Sequence, residues 1–188
     1  MDHPDLEVVV VSHGAQELLR RCLTSLQECP PAVPMRITVV DSGSPDDTPD
    51  MVEREFPAVN LVRRGNVGFS AANNVVLDST DAPFVLLLNP DTEVRDGALD
   101  SSLARLRQDA GIGMVGCKLV LPEGGIDHAA KRSFPTPLSA LAHFTGIGRG
   151  ENSNGALSQY RATDLGDDEP GEVDAVNGAY MMVRREAL

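Results

Sequence analysis

The stretch Leu6-Glu7-Val8-Val9-Val10-Val11-Ser12-His13-Gly14 (residues 6–14) sets four consecutive valines ahead of an abrupt polar turn. β-Branched side chains in a row disfavour a helix and suit a pleated strand. The run does not alternate apolar with polar, so the strand is expected to be buried on both faces. That is the condition of a parallel sheet covered by helices on each side.

Working outward, the same grammar repeats. From about Ala15 to Gln27, Leu18, Leu19, Cys22, Leu23 and Leu26 recur at helical spacing, and Pro30, Pro31 and Pro34 end the helix. Met35–Asp41 (MRITVVD) reads as a second strand. The turn Ser42-Gly43-Ser44-Pro45 follows, then a helix with Ser44 or Asp46 as candidate cap. A third strand, Val59–Val62, leads through Arg64-Gly65-Asn66-Val67-Gly68 into a helix reaching about Asp78. A fourth strand, Phe84–Leu88, stops at Asn89-Pro90-Asp91. A helix is expected from about Gly97 to Gln108, and a fifth strand from Ile112 to Leu121. Strands alternating with helices predict an α/β fold whose central sheet is mainly parallel and flanked by helices.

Residues 123–170 break this rhythm, being rich in Gly, Pro, Ser and Asp. A loop of this length in a compact domain points to a functional lid or a partly disordered segment. Strands are expected again over Glu172–Val176 and Gly178–Val183, and Arg184-Arg185-Glu186-Ala187-Leu188 reads as the first turn of a helix. The 188 residues fit one domain of ordinary size.

Composition narrows the partners. With 41% hydrophobic and 23% charged residues the chain is globular rather than disordered. A net charge of −12 disfavours a nucleic-acid backbone, which needs a basic stripe. No run approaches the roughly 20 apolar residues that span a bilayer, and the acidic N-terminus lacks the flank of a secretory signal. Three cysteines, Cys22, Cys29 and Cys117, are an odd number without metal-ligand spacing. Cys22 on a helix and Cys117 in a strand read as small core residues, and a reducing cytosol fits them. An acidic protein can still hold a phosphorylated small molecule through a divalent cation.

The strand ends point that way. In parallel α/β sheets, ligands bind beyond the carboxyl ends of the strands. Ser12-His13-Gly14, Asp41-Ser42-Gly43 and Asn89-Pro90-Asp91 each follow an apolar run and would emerge on one rim. Any one of them alone reads as an ordinary turn; three on one rim, with the glycine turn 65–68, read as a site. Asp91 at a tight turn suits Mg2+ or Mn2+, hard cations that often take one or two carboxylates plus substrate phosphates. Asp41, held in a turn, suits a base N–H or a ribose hydroxyl. His13 sits where a ring could lie against a base. The segment Gly65–Asn74 admits two readings: an anion-facing helix start, or a plain strand–helix turn with Phe69 packed on the core. G-x-G-x-x-G and P-loop patterns are absent, and His3, His128 and His143 have no ligand-like spacing.

Together, VVVVSHG (8–14), VVDSGSPDDT (39–48), GNVGFSAANN (65–74), LLLNPDTEV (86–94) and VNGAYMMVRREAL (176–188) resemble, in order, the inverting glycosyltransferase family 2 with its GT-A fold. The likeness is nearest to rhamnosyltransferase-like members of cell-wall and polysaccharide assembly, and it covers nearly the whole chain. The resemblance implies donor contacts at Ser12, His13, Asp41, Asn66, Gly68, Asn73, Asn89 and Asp91, with Asp91 as metal ligand. It implies an acceptor side at Asn177, Gly178 and the 123–170 loop. Asn89 replaces the first Asp of the family's D-x-D motif, and Ala72 stands where many relatives have Arg. The family's catalytic base lies shortly after the R-R-E-A-L segment, so it is expected beyond Leu188, and the chain reads as part of a longer protein.

The resemblance further implies a dTDP- or UDP-linked sugar donor, a glycan or lipid-linked glycan acceptor, no nucleic acid, and a cytoplasmic place that allows peripheral contact at the inner membrane face. Two other classes compete. A non-catalytic nucleotide-sugar-binding module would show no acidic loop after residue 188. A nucleotidyltransferase would carry a basic glycine-rich loop after the first strand, and Ser12-His13-Gly14-Ala15-Gln16 has no Lys or Arg.

Overall fold

The computed structural model describes residues 3–127, 131–132 and 170–188. They gather into two compact units, Met1–Val115 with Gly178–Leu188, and Gly116–Asn177.

The larger unit is built on a six-stranded sheet. Its strands are β1 (Leu6–Ser12), β2 (Met35–Ser42), β3 (Asn60–Arg64), β4 (Phe84–Leu88) and β5 (Met114–Val115), together with β8 (Tyr180–Arg184) from the end of the chain. The order is β3-β2-β1-β4-β8-β5. β3, β2, β1 and β4 run parallel, while β8 is antiparallel to both β4 and β5. Helices α1 (Gln16–Glu28), α2 (Thr48–Glu55), α3 (Phe69–Leu77) and α4 (Ala98–Gln108) form the crossovers.

The valine run is sealed as expected: Val8, Val9 and Val10 have no exposed surface. Alternation along the strands divides the core. Val9, Val40, Val85 and Leu87 pack with Ala72 and Val76 of α3, joined at the margin by Val11, Val62 and Met181. Each such side chain, fully buried, contributes roughly 1.5–3 kcal/mol.

At the end of the sheet where β1 begins lies a carboxylate that sequence reading did not single out. Glu7 has no exposed surface. It faces its register partner Arg36 across the β1–β2 ladder. Arg36 Nε donates to Oε2 at 2.6 Å, Thr38 Oγ1 to Oε1 at 2.7 Å and Thr80 Oγ1 to Oε2 at 3.2 Å. Only such pairing makes a buried charge tolerable.

Four expectations are corrected. The strand expected over Ile112–Leu121 is only Met114–Val115 in β5, because its partner is β8 from far along the chain. Cys117 accordingly lies in a half-buried non-strand segment. Leu18 is 45% exposed, on the outer side of α1. The cap of α2 falls one residue late, at Asp47, although Asp46 Oδ1 does accept the Thr48 N–H at 3.2 Å.

In the smaller unit, β6 (Lys131–Arg132) pairs antiparallel with β7 (Ala175–Val176), and Val120 bridges Ile126. Most of the expected 123–170 loop, residues 128–130 and 133–169, lies outside the described residues, as do His128 and His143.

Candidate functional site

Parallel register brings the predicted residues to one edge. Ser12 stands opposite Asp41, and Val10 opposite Leu88. The carboxyl ends of β1, β2 and β4 therefore open side by side, and Asn89–Asp91 follows directly. The chain moves outward in opposite directions from β1, to β2 on one side and β4 on the other, so the edge between them is a topological switch point, where α/β sheets bind ligands.

Two loops at this edge are bonded together. His13 Nδ1–H donates to the Ser42 carbonyl at 2.9 Å, which leaves Nε2 without a bond. The Gly14 N–H donates to Ser44 Oγ, also at 2.9 Å. A third loop joins through Gly43, whose φ of +74° is a left-handed conformation. A Cβ there would sit 3.1 Å from the Asn66 nitrogen, so only glycine lets the β2 turn and the β3–α3 loop touch. Gly43, part of the rim triplet, and Ser44, expected as a candidate helix cap, thus act as structural members of the site.

Burial leaves two atoms unanswered. Asp41 is 4% exposed and Ser12 is 1% exposed. Asp41 Oδ2 accepts the Ser44 N–H at 3.3 Å. Ser12 Oγ and Asp41 Oδ1, however, are buried without any hydrogen-bond partner, the only such side-chain atoms among the described residues.

The remaining predicted residues divide. Asn66 and Gly68 lie in an exposed run from Arg63 to Ala71, where Asn66 Oδ1 accepts the Gly68 N–H at 3.3 Å. Phe69, at 47% exposure, does not pack on the core as one reading of this segment required. Asn73 is buried, and its Nδ2 donates to the Phe69 carbonyl of its own helix at 2.9 Å. The Asn89 N–H donates to the Ala179 carbonyl at 3.0 Å, which places Gly178, the residue before Ala179, beside the β4 end. Asn177 belongs to the smaller unit. Asp91 is exposed, accepting no hydrogen bond and forming no ion pair.

Beneath the Asn89–Asp91 turn, Cys22 Sγ lies 3.8 Å from the Asn89 carbonyl. Burial, and then the negative charges of Asp91 and Glu93, push its thiol up to about 12. Beside Gly14, the Thr48 hydroxyl holds the Asp46 carboxyl below its usual range. Among the described residues no three His, Cys, Asp or Glu side chains form a metal-binding group. The free carboxylate of Asp91 fits a cation that draws its other ligands from a substrate, not one enclosed by protein.

A family model for glycosyl transferase family 2 matches residues 7–188. The chain belongs to glycosyl transferase family 2. Among curated family relatives, N-acetylglucosaminyl-diphospho-decaprenol L-rhamnosyltransferase of Mycobacterium tuberculosis is 28% identical over 197 residues, covering 97% of this chain. This chain spans 62% of that transferase's length. O-antigen biosynthesis protein RfbC of Myxococcus xanthus is 29% identical over 129 residues, which are 67% of this chain and 10% of RfbC.

Two solved structures share the fold. The mannosyltransferase PcManGT from Pyrobaculum calidifontis, in complex with GDP-Man and Mn2+, has a TM-score of 0.62 at 22% identity, covering 99% of this chain and 46% of its own. S. aureus TarS 1-349 in complex with UDP-GlcNAc has a TM-score of 0.55 at 18% identity, covering 82% and 53%. The chain therefore has the GT-A fold that its motifs imply. No helix among the described residues is long and apolar enough to cross a membrane.

Proposed function

We propose that this chain is the donor-binding part of an inverting glycosyltransferase, which moves a sugar from a nucleoside diphosphate to a hydroxyl of a glycan acceptor. The observation that carries this reading is the pair of unanswered buried atoms, Ser12 Oγ and Asp41 Oδ1, on register partners of the β1–β2 ladder. A buried polar atom without a partner costs about 1–3 kcal/mol. A ligand that supplies the partners recovers that cost. The carboxylate oxygen calls for a donor and the hydroxyl can donate to a carbonyl. The imide edge of uracil or thymine presents both, N–H beside C=O, whereas the ring nitrogen of cytosine at that position accepts. Guanine's N1–H beside C6=O presents the same pair, so this edge speaks against CDP-linked donors, and the family resemblance narrows the rest to UDP- or dTDP-linked ones.

From that anchor, the sugar–diphosphate would extend toward the β4 end. There Asp91, with Asn89 beside it, would hold Mg2+ or Mn2+, and the cation would stabilise charge on the departing diphosphate. The loops bonded through His13 and Gly14, and brought close at Gly43, would pre-set the base end of the site, which lowers the cost of orienting the donor. Gly178 leaves the backbone open to an acceptor, since nothing lies within 4 Å of where its Cβ would stand. Similarity to the mycobacterial L-rhamnosyltransferase supports a rhamnosyl donor. It equally supports an acceptor carried on a lipid diphosphate; peripheral contact at the cytoplasmic membrane face would bring the chain to it.

A thermal-shift series with UDP, dTDP, GDP and CDP, each with and without Mn2+, tests the reading. Ligand at a hundred times its Kd stabilises the native state by about 2.7 kcal/mol. UDP or dTDP with Mn2+ is expected to raise the Tm, and Asp91→Ala to remove the Mn2+-dependent part. An unchanged Tm with every nucleotide contradicts it.

A further inference from the structure

Helix α1 buries a serine within its apolar face. Ser25 stands three residues after Cys22 and next to Leu26, and it is 8% exposed. Its hydroxyl is used twice. Ser25 Oγ donates to the Cys22 carbonyl of its own helix at 2.7 Å and accepts the Val94 N–H at 2.9 Å. The second bond leaves the helix and reaches the loop that follows β4. Val94 is itself buried. Without Ser25 its N–H would be sealed from water with no partner, a state that buried backbone seldom keeps.

That loop is the one that presents Asp91. It opens with a turn closed by the Thr92 N–H, which donates to the Asn89 carbonyl at 3.1 Å, with Pro90 and Asp91 at its corners. Cys22 Sγ reaches the same Asn89 carbonyl at 3.8 Å, and Arg21 pairs with Glu93. Ser25 follows Arg21 by four residues and Cys22 by three, so the three share one side of the helix. They fasten residues 89, 93 and 94, on both sides of Asp91. None of these bonds uses the Asp91 carboxylate. The Arg21–Glu93 pair is exposed and the thiol is a weak donor, so the firmest hold is Ser25.

We propose that Ser25 is a positioning residue for the cation site: its buried hydroxyl fixes the loop that holds Asp91 out to the donor. The inference rests on the donor-binding reading above, in which Asp91 meets the cation. The backbone on either side of Asp91 is tied to a core helix, while its carboxylate is left to a ligand. A carboxylate presented in this way need not be ordered at the moment of binding.

The 188-residue chain, titrated calorimetrically with UDP and with uridine in either Mn2+ or EDTA, tests this. Ser25→Ala is expected to lose about tenfold in UDP affinity with Mn2+, while uridine and metal-free UDP bind as to wild type. The EPR signal of free Mn2+, with UDP present, should persist to higher protein concentration in the variant. Ser25→Cys fills the same space but accepts hydrogen bonds weakly; it should show the same selective loss and carries the test if Ser25→Ala does not fold. Thr38→Val removes another buried hydroxyl, one that donates to Glu7 at the far end of the sheet, and should change none of these affinities. Three results would overturn the proposal: wild-type affinity for UDP with Mn2+ in a folded Ser25 variant, an equal loss for uridine, or the same loss in Thr38→Val. Should wild type bind neither UDP nor uridine, or bind UDP no better with Mn2+, the donor reading or its cation fails and this inference goes with it. Mn2+-strengthened binding without a Ser25 effect fails this inference alone.

Discussion

Ser12 and Asp41 face each other across two parallel strands, each with an oxygen that is sealed from water and bonded to nothing. Most buried polar atoms in native interiors are paired, and here two unpaired ones belong to register partners at the edge where α/β sheets bind ligands. The account of this chain as a nucleotide-sugar binder grows from that pair.

Ser12→Ala deletes one of the unanswered atoms without changing the strand. The ligand-free protein should become more stable by up to about 1 kcal/mol, since an unpaired hydroxyl leaves the interior. Nucleotide affinity should fall in the same variant. Urea denaturation beside a UDP titration measures both. Loss of stability without loss of affinity would mean that Ser12 serves the fold.

The Glu7 network at the other edge should behave in the opposite way. Arg36→Ala strips the buried carboxylate of its counter-charge and should cost about 3 kcal/mol. Glu7→Gln removes the charge itself but leaves Arg36, with a side chain 42% exposed, free to meet water, and should cost less. Urea midpoints rank the two variants; the reverse ranking would show that the ion pair is not what secures Glu7. Neither variant should alter nucleotide affinity, because both residues lie at the far end of β1 and β2.

Cys22 carries a pH signature. Its thiol is held up to about 12, against an ordinary value of 9.0, by burial and by Asp91 and Glu93. Between these values the unfolded chain has lost the proton and the folded chain keeps it. The unfolded state then binds fewer protons, so stability contributed by this group falls as pH rises above about 9. Cys22→Ala should reduce that slope between pH 8 and pH 10 in denaturation curves. Iodoacetamide at pH 8 should spare Cys22 until urea is added, and rapid labelling of the folded protein would contradict the burial.

Much of the fold was legible because its central strands are continuous apolar runs. Leu6–Ser12 and Phe84–Leu88 occur with the bounds their residues imply. What failed depended on partners distant in sequence. Nothing near Ile112–Leu121 reveals that Tyr180–Arg184 will insert between β4 and β5, leaving only two residues paired. Leu18 fits a helical apolar stripe, yet it stays 45% exposed. Glu7 does not stand out within its apolar strand, because its partners Arg36 and Thr38 arrive only across the ladder. The rim itself was readable from Ser12-His13, Asp41 and Asn89-Pro90-Asp91. The bonds of His13 to Ser42 and of Gly14 to Ser44, and the unanswered atoms of Ser12 and Asp41, arise only once register has set the loops together.

Asp41→Asn provides the most direct test, because it preserves shape while turning an acceptor into a donor on one side. Calorimetric titration with UDP and dTDP in Mn2+, wild type against variant, reads it. The account predicts a folded variant whose affinity for both nucleotides falls by about tenfold or more. Wild-type affinity in a folded Asp41→Asn protein would show that the base is read elsewhere.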